Sequence, residues 1–209
     1  MHVDKIARHE KKADRFAVKF DDGSEINVSA AQIADFGLYS GRVISEDEYK
    51  ELNSAIELNS AKTSALRILG NRSISTHDLE KRLVSKGNSG DAAQQTVEWL
   101  EQVGIVNDEE LAASIVKQYS KKGYGPAKIK DELYRRGIPR EMIDEAMSSL
   151  DENDEAAVEY IVKKLKGSRD KDDLQNITKA LYRRGFSYET ARDVVRQYLE
   201  LIDETEGID

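Results

Sequence analysis

The sequence predicts a mainly α-helical chain: tandem three-helix repeats in an elongated, solenoid-like array, with a small β-rich N-terminal extension. Three observations predict it. An apolar pair four residues apart, with a glycine four further on, occurs as Leu79/Leu83/Gly87, Ile129/Leu133/Gly137 and Ile177/Leu181/Gly185, at offsets of 50 and then 48 residues. The i,i+4 spacing puts each pair on one helix face, and the glycine is a helix stop. Within that frame Leu133-Tyr-Arg-Arg-Gly137 recurs in register as Leu181-Tyr-Arg-Arg-Gly185. A period near 50 is that of an array of helical units. The first fifty residues instead alternate polar and apolar with period two.

The elements follow in order. Arg15–Phe20 and Glu25–Val28 read as strands around an Asp21-Asp-Gly-Ser24 hairpin turn, and Lys5–His9 supplies a third strand. Ser29 opens a short helix through Phe36, which Gly37 stops; Gly41–Ile44 is a short extended return. Ser45 with Glu48 forms a capping box ahead of a helix carrying Tyr49, Leu52 and Ile56 on one face. From Ala61 the signal is helical, three helices per repeat. The first helices hold Ala65-Leu66 and Leu69, then Ala112, Ile115, Val116 and Tyr119, then Ala157, Tyr160, Ile161 and Leu165. The middle helices start behind Ser75, Gly125-Pro126 and Asp170, residue types suited to a cap or a first turn. The third helices hold Val97, Leu100 and Val103, then Ile143, Met147 and Leu150, then Ala191, Val194, Val195 and Tyr198. The expected organisation is an extension at 1–44, a connecting helix at 45–60, repeats at 61–105, 106–150 and 151–205, and an acidic tail end at 206–209. A unit of this size is expected to share a core with its neighbours.

Composition narrows the chemistry. Charged residues make up 34% of the 209-residue chain, apolar residues 39%, and only 2 prolines interrupt it. There is no cysteine, which excludes disulfide scaffolds, thiolate metal sites and thiol catalysis. No apolar run reaches the ~18 residues of a membrane span, and the charged first twelve residues lack a signal core. The expectation is a cytoplasmic monomer with no membrane association. The sequence holds no phosphate-binding G-x-x-x-x-G-K-[ST] and no G-x-G-x-x-G; Gly123-Tyr-Gly-Pro126 reads as a turn into a helix. His2, His9 and His77 are scattered, and the acidic run 151–155 lacks the calcium-loop glycine and reads as a solvated link. No nucleophile has a plausible base. No catalytic residue, cofactor or metal is expected.

Charge comes in blocks beneath a net −8. Residues 115–140 hold eight basic against two acidic residues, 141–159 eight acidic and no basic, 160–199 ten basic against five acidic, and the last ten residues five acidic. Such blocks orient docking on a charged partner. Lys117, Lys121, Lys122, Lys128, Arg135, Arg136, Arg183 and Arg184 are the candidate contacts. One arginine of each pair is expected to offset a helix C-terminus, which leaves the second for the partner. Tyr124, Tyr134, Tyr160 and Tyr182 lie near these cations; an aromatic–basic surface stacks bases, but the favoured expectation is a core-edge role.

Several strings resemble the RecX family of regulatory proteins. Ala65-Leu66…Leu69…Arg72-Ser-Ile-Ser75…Leu79…Leu83…Lys86-Gly87 is similar to its first repeat. Trp99-Leu100…Val103-Gly-Ile-Val-Asn107-Asp-Glu109 and Tyr124-Gly125…Ile129…Leu133-Tyr-Arg-Arg-Gly137-Ile138 follow in the family's order, and Leu181-Tyr-Arg-Arg-Gly185-Phe-Ser-Tyr188 is similar to its last repeat. The likeness spans about residues 61–200. It implies a modulator that lies in the groove of the RecA recombinase–DNA filament, touches DNA phosphates there, and opposes recombinase, ATPase and coprotease activity. The residues alone also admit a direct single-stranded nucleic-acid-binding module or a generic helical protein-interaction adaptor.

Overall fold

A computed structural model describes residues 1–9, 14–70, 73–148, 150 and 155–206, without the side chains of 205 and 206. Arg72, the acidic run 151–154 and the tail residues 207–209 lie outside the described residues. The described chain is mostly helical, with one small N-terminal sheet. It forms two compact units, Met1–Arg72 with Leu79–Val103, and Ser73–Asp78 with Gly104–Asp209.

In the first unit β1 (Val3–Arg8), β2 (Arg15–Phe20) and β3 (Glu25–Ser29) form an antiparallel sheet in the order β1-β2-β3. The expected turn is present: Gly23 sits at φ +83°, and the Phe20 amide donates to the Ser24 carbonyl at 2.9 Å. Period-two alternation sends Val18, Phe20 and Val28 inward, onto Val3, Leu38, Ile44 and Leu52. Ser29 and Gln32 cap α1 (Ala30–Asp35) reciprocally. The return through 41–44 lies along the chain start, where the Val3 amide donates to the Arg42 carbonyl and the Ile44 amide to Met1, each at 2.9 Å.

The Ser45/Glu48 capping box opens α2 (Glu46–Leu69), a single helix of 24 residues. The stretch expected as a connector and the first helix of the first repeat are therefore one element. Its N-terminal half closes the sheet core, with Tyr49 edge-on to Phe20 at 5.4 Å. Its C-terminal half buries Ala61 and Ala65 and packs on α4 (Gly90–Gln102), where the Lys62 ammonium stands 4.4 Å from the Trp99 ring centre. Leu79 and Leu83 of α3 (Thr76–Ser85), with Ala93 and Leu100 of α4, are fully buried.

The second unit holds α5 (Asp108–Lys121), α6 (Pro126–Arg135) and α7 (Arg140–Ser148), then α8 (Glu155–Leu165), α9 (Lys171–Arg183) and α10 (Tyr188–Glu206). Asn107 and Asp170 cap α5 and α9 with their side chains, and Pro126 takes the first turn of α6. The three repeat glycines end their helices in one way. Gly137 is at φ +71°, its amide bonds to the Tyr134 carbonyl, and the Ile138 amide reaches back to Leu133; Gly87 and Gly185 repeat both bonds. The expectation of a shared core is corrected here. Leu111, Ile115, Ile129, Leu133, Ile138 and Ile143 close one cluster, and Ile161, Ile177, Leu181, Phe186, Val194 and Tyr198 close another. At Gly125 and Gly185 the two repeats touch through main chain, which leaves no room for a side chain at those two positions. No described helix is long and apolar enough to cross a membrane.

Candidate partner-binding surface

All eight cations singled out from the sequence lie in the second unit, and the structure divides them. Asn107 accepts from the Glu109 and Glu110 amides and starts α5, whose apolar side carries Leu111, Ala112, Ile115 and Val116. The 3.6-residue period then puts Lys117 and Lys121 on the opposite, exposed side, one turn apart. Lys122 ends the helix with its ammonium 5.7 Å from the Tyr119 ring centre. Lys128 is exposed in the first turn of α6.

Arg135 and Arg136 converge on Glu132, which is buried to 8% exposure. Arg135 grips the carboxylate bidentately at 2.6 to 2.9 Å, and Arg136 Nε donates to it at 2.8 Å. Burial pushes the Glu132 carboxyl up. The hydrogen bonds from both arginines and their charges outweigh that and hold it below the ordinary carboxylate range. Tyr119 is raised in turn, by burial first and then by the Glu132 charge.

The carbonyl of Arg136 accepts from the Ser75 hydroxyl at 2.5 Å, while the Thr76 amide and hydroxyl donate to buried Asp108 at 3.0 and 2.7 Å. His77 packs so closely on Gly137 that a Cβ there would lie 2.2 Å from the ring. The same register recurs one repeat on. The Gly125 amide donates to the Arg184 carbonyl at 2.9 Å, and Ala127 to Gly185 at 3.1 Å. In each case the residue capping a middle helix bonds to the carbonyl of the second arginine of the next repeat.

At this second junction the Arg184 side chain is a latch. Its Nε donates to the Gly123 carbonyl at 2.8 Å and its Nη2 to the Lys122 carbonyl. Its guanidinium lies between two rings, 4.2 Å from the centre of Tyr124 and 4.1 Å from that of Tyr160. The second arginine of each pair is thus held internally, against the expectation that it faces outward. Arg183 is exposed. Among the described residues neither it nor Lys117, Lys121 or Lys128 pairs with a carboxylate.

The tyrosines divide as well. Tyr124 and Tyr160 are half-buried, as a core-edge role requires. Tyr134 and Tyr182 are 49% and 63% exposed, a correction for that pair. Glu132, missed in the sequence, had a local signal in its i,i+3 and i,i+4 spacing to the two arginines. The ring partners of Arg184 had none, since they stand in other elements.

The family model described as RecX, second three-helix domain, matches residues 107–147, the segment of α5 to α7. The regulatory protein RecX of Bacillus subtilis (strain 168) is 31% identical over 207 residues, covering 96% of this chain and 77% of the relative. That of Clostridioides difficile (strain 630) is 30% identical over 203 residues, covering 94% and 95%. A crystal structure of regulatory protein RecX shares the fold with a TM-score of 0.68 at 19% identity, over 94% of this chain and 98% of that one. The crystal structure of RecX from Lactobacillus salivarius aligns with a TM-score of 0.58 at 20% identity, over 69% and 97%.

Proposed function

The chain belongs to the RecX family of regulatory proteins, and we propose that it binds the RecA recombinase–DNA filament and lowers its recombinase, ATPase and coprotease output. On this reading it is a binding protein without catalysis, a monomer acting in the cytoplasm, with repeats at 61–105, 106–150 and 151–205. The observation that carries the contact assignment is the division of the eight cations. Among the described residues Lys117, Lys121, Lys128 and Arg183 are exposed without a carboxylate partner, whereas Arg136 and Arg184 are engaged within the fold. An exposed, unpaired cation meets a phosphate or carboxylate without first giving up an internal partner, so these four are the contacts. Arg135, exposed but tied to Glu132, stands at their edge, and Lys122 over its tyrosine contributes less.

The test is single-strand-dependent ATP hydrolysis by the recombinase of the same organism, titrated with this protein. Hydrolysis is expected to fall at substoichiometric amounts. Charge reversal at Lys117, Lys121, Lys128 and Arg183 together is expected to remove the effect. Unchanged hydrolysis with the unaltered protein refutes the function, and full inhibition by the reversed variant refutes the contact assignment.

A further inference from the structure

The third repeat carries a surface feature that the fold does not require. Asn176, Lys179, Tyr182 and Arg183 follow one another at three-, three- and one-residue steps, which aligns them as one stripe of α9. Tyr188 opens α10 beside them, and with Thr178 these residues line a surface hollow of about 510 Å³. Tyr182 and Tyr188 are 63% and 64% exposed. Among the described residues Lys179 and Arg183 have no carboxylate partner.

The internal repeats provide the control. The positions of Asn176, Lys179, Tyr182, Arg183 and Tyr188 are occupied in the second repeat by Lys128, Asp131, Tyr134, Arg135 and Arg140, and in the first by Asp78, Lys81, Val84, Ser85 and Gly90. All three repeats end the middle helix with the same glycine turn, so neither the second exposed ring nor the unpaired cations serve that turn. In the second repeat Glu132 occupies Arg135; its counterpart in the third is Ala180, which leaves Arg183 open.

We propose that Asn176, Lys179, Tyr182, Arg183 and Tyr188 form a binding site for single-stranded nucleic acid, in which the two tyrosines stack unpaired bases and the two cations hold the flanking phosphates. Rings with exposed faces stack any base, cations follow the backbone, and an amide adds a hydrogen bond to a base edge; that combination is the chemistry of strand binding with little sequence preference. The site goes beyond the filament reading and does not rest on it. The deoxyribose or ribose strand is distinguished by the probe.

Binding is measured by fluorescence anisotropy with labelled oligothymidylate and, in a second arm, labelled oligouridylate, using the full chain without recombinase. Tyr182→Ala and Tyr188→Ala are each expected to weaken binding about tenfold in whichever arm binds. Lys179→Glu with Arg183→Glu is expected to weaken it and to flatten the salt dependence by about 1.4 log units per log unit of salt. Tyr182→Phe keeps the ring and is expected to keep the affinity. The proposal is overturned if neither oligonucleotide binds at low salt, if the alanine or glutamate variants bind as the parent does, or if Tyr182→Phe loses as much as Tyr182→Ala. Because the assay holds no recombinase, its failure leaves the filament reading standing, and unchanged ATP hydrolysis leaves this site standing.

Discussion

Two adjacent arginines, Arg183 and Arg184, are assigned opposite roles by the geometry, and substituting each in turn separates them. Arg184→Ala removes two charge-assisted hydrogen bonds to main-chain carbonyls and a guanidinium placed between two rings. Hydrogen bonds involving a charged group contribute about 1.5–3 kcal/mol each, and a partly exposed cation–π contact about 0.5–1 kcal/mol. Ordering a long side chain costs about 1.5–2 kcal/mol, which the alanine recovers. The net loss expected is about 2–5 kcal/mol. With an unfolding entropy of about 2.1 cal/mol/K per residue, a unit of about 110 residues then melts about 10–20 °C lower. Arg183→Ala, at an exposed position without an ion pair, is expected to stay within about 0.5 kcal/mol of the parent. Arg184→Lys keeps the charge and loses the fork, so it falls between the two. Thermal melting followed by far-ultraviolet circular dichroism reads all three. A melt of Arg184→Ala within about 2 °C of the parent, or an equal drop in Arg183→Ala, refutes the latch.

Two further substitutions probe the junctions. Gly125 has an ordinary φ of −81°, so Gly125→Ala tests space alone: the added Cβ would meet the Gly185 carbonyl and the Phe186 nitrogen at 2.5 Å. The expected cost is about 1–3 kcal/mol, read as a lower urea midpoint. Gly90→Ala, where a Cβ meets nothing within 4 Å, is expected to gain about 0.4–1 kcal/mol, and a shift of both in one direction refutes the steric account. Glu132 is held below its ordinary pKa in the folded state. Its contribution is therefore present above the unfolded carboxylate value and is lost as pH falls through the folded one. Glu132→Gln is expected to lower stability at neutral pH and to flatten the fall in stability below about pH 4.5; an acid limb as steep as the parent's refutes it.

What was legible in the sequence was local. The hairpin turn at Gly23, the Ser45/Glu48 box, the Asn107 and Asp170 caps and the three glycine stops each involve residues within a few positions, and each has one low-energy solution. The role of the arginines was not legible, for a physical reason. A cation near a helix C-terminus has a generic use in the helix dipole, and nothing local distinguishes Arg183 from Arg184. The choice is made by Gly123, Tyr124 and Tyr160, which approach only when the second and third repeats pack. The shared-core expectation met the same packing: the two buried clusters close separately, and at Gly185, where a Cβ would lie 2.3 Å from the Lys128 nitrogen, the repeats touch through main chain instead.

Besides the ring partners of Arg184, the second and third repeats differ at a position that bears on all four arginines. Glu132 precedes Arg135 by three residues and Arg136 by four, and it binds both. Ala180 stands at the same distances from Arg183 and Arg184, so in the third repeat one arginine reaches across to the tyrosines while the other is left at the surface. Ala180→Glu is therefore expected to rebuild the second repeat's arrangement in the third. Both arginines would turn onto α9, Tyr124 and Tyr160 would lose their cation, and Arg183 would no longer meet a phosphate. The melting point is expected to fall by less than in Arg184→Ala, since the new carboxylate returns part of the loss, and oligothymidylate affinity is expected to fall with a shallower salt dependence. Glu132→Ala should do the converse, freeing Arg135 beside exposed Tyr134 and raising strand affinity, by less than an intact third-repeat site provides because Asp131 stays one turn away. If Ala180→Glu leaves both melting and strand affinity unchanged, the single carboxylate is not what separates the two repeats.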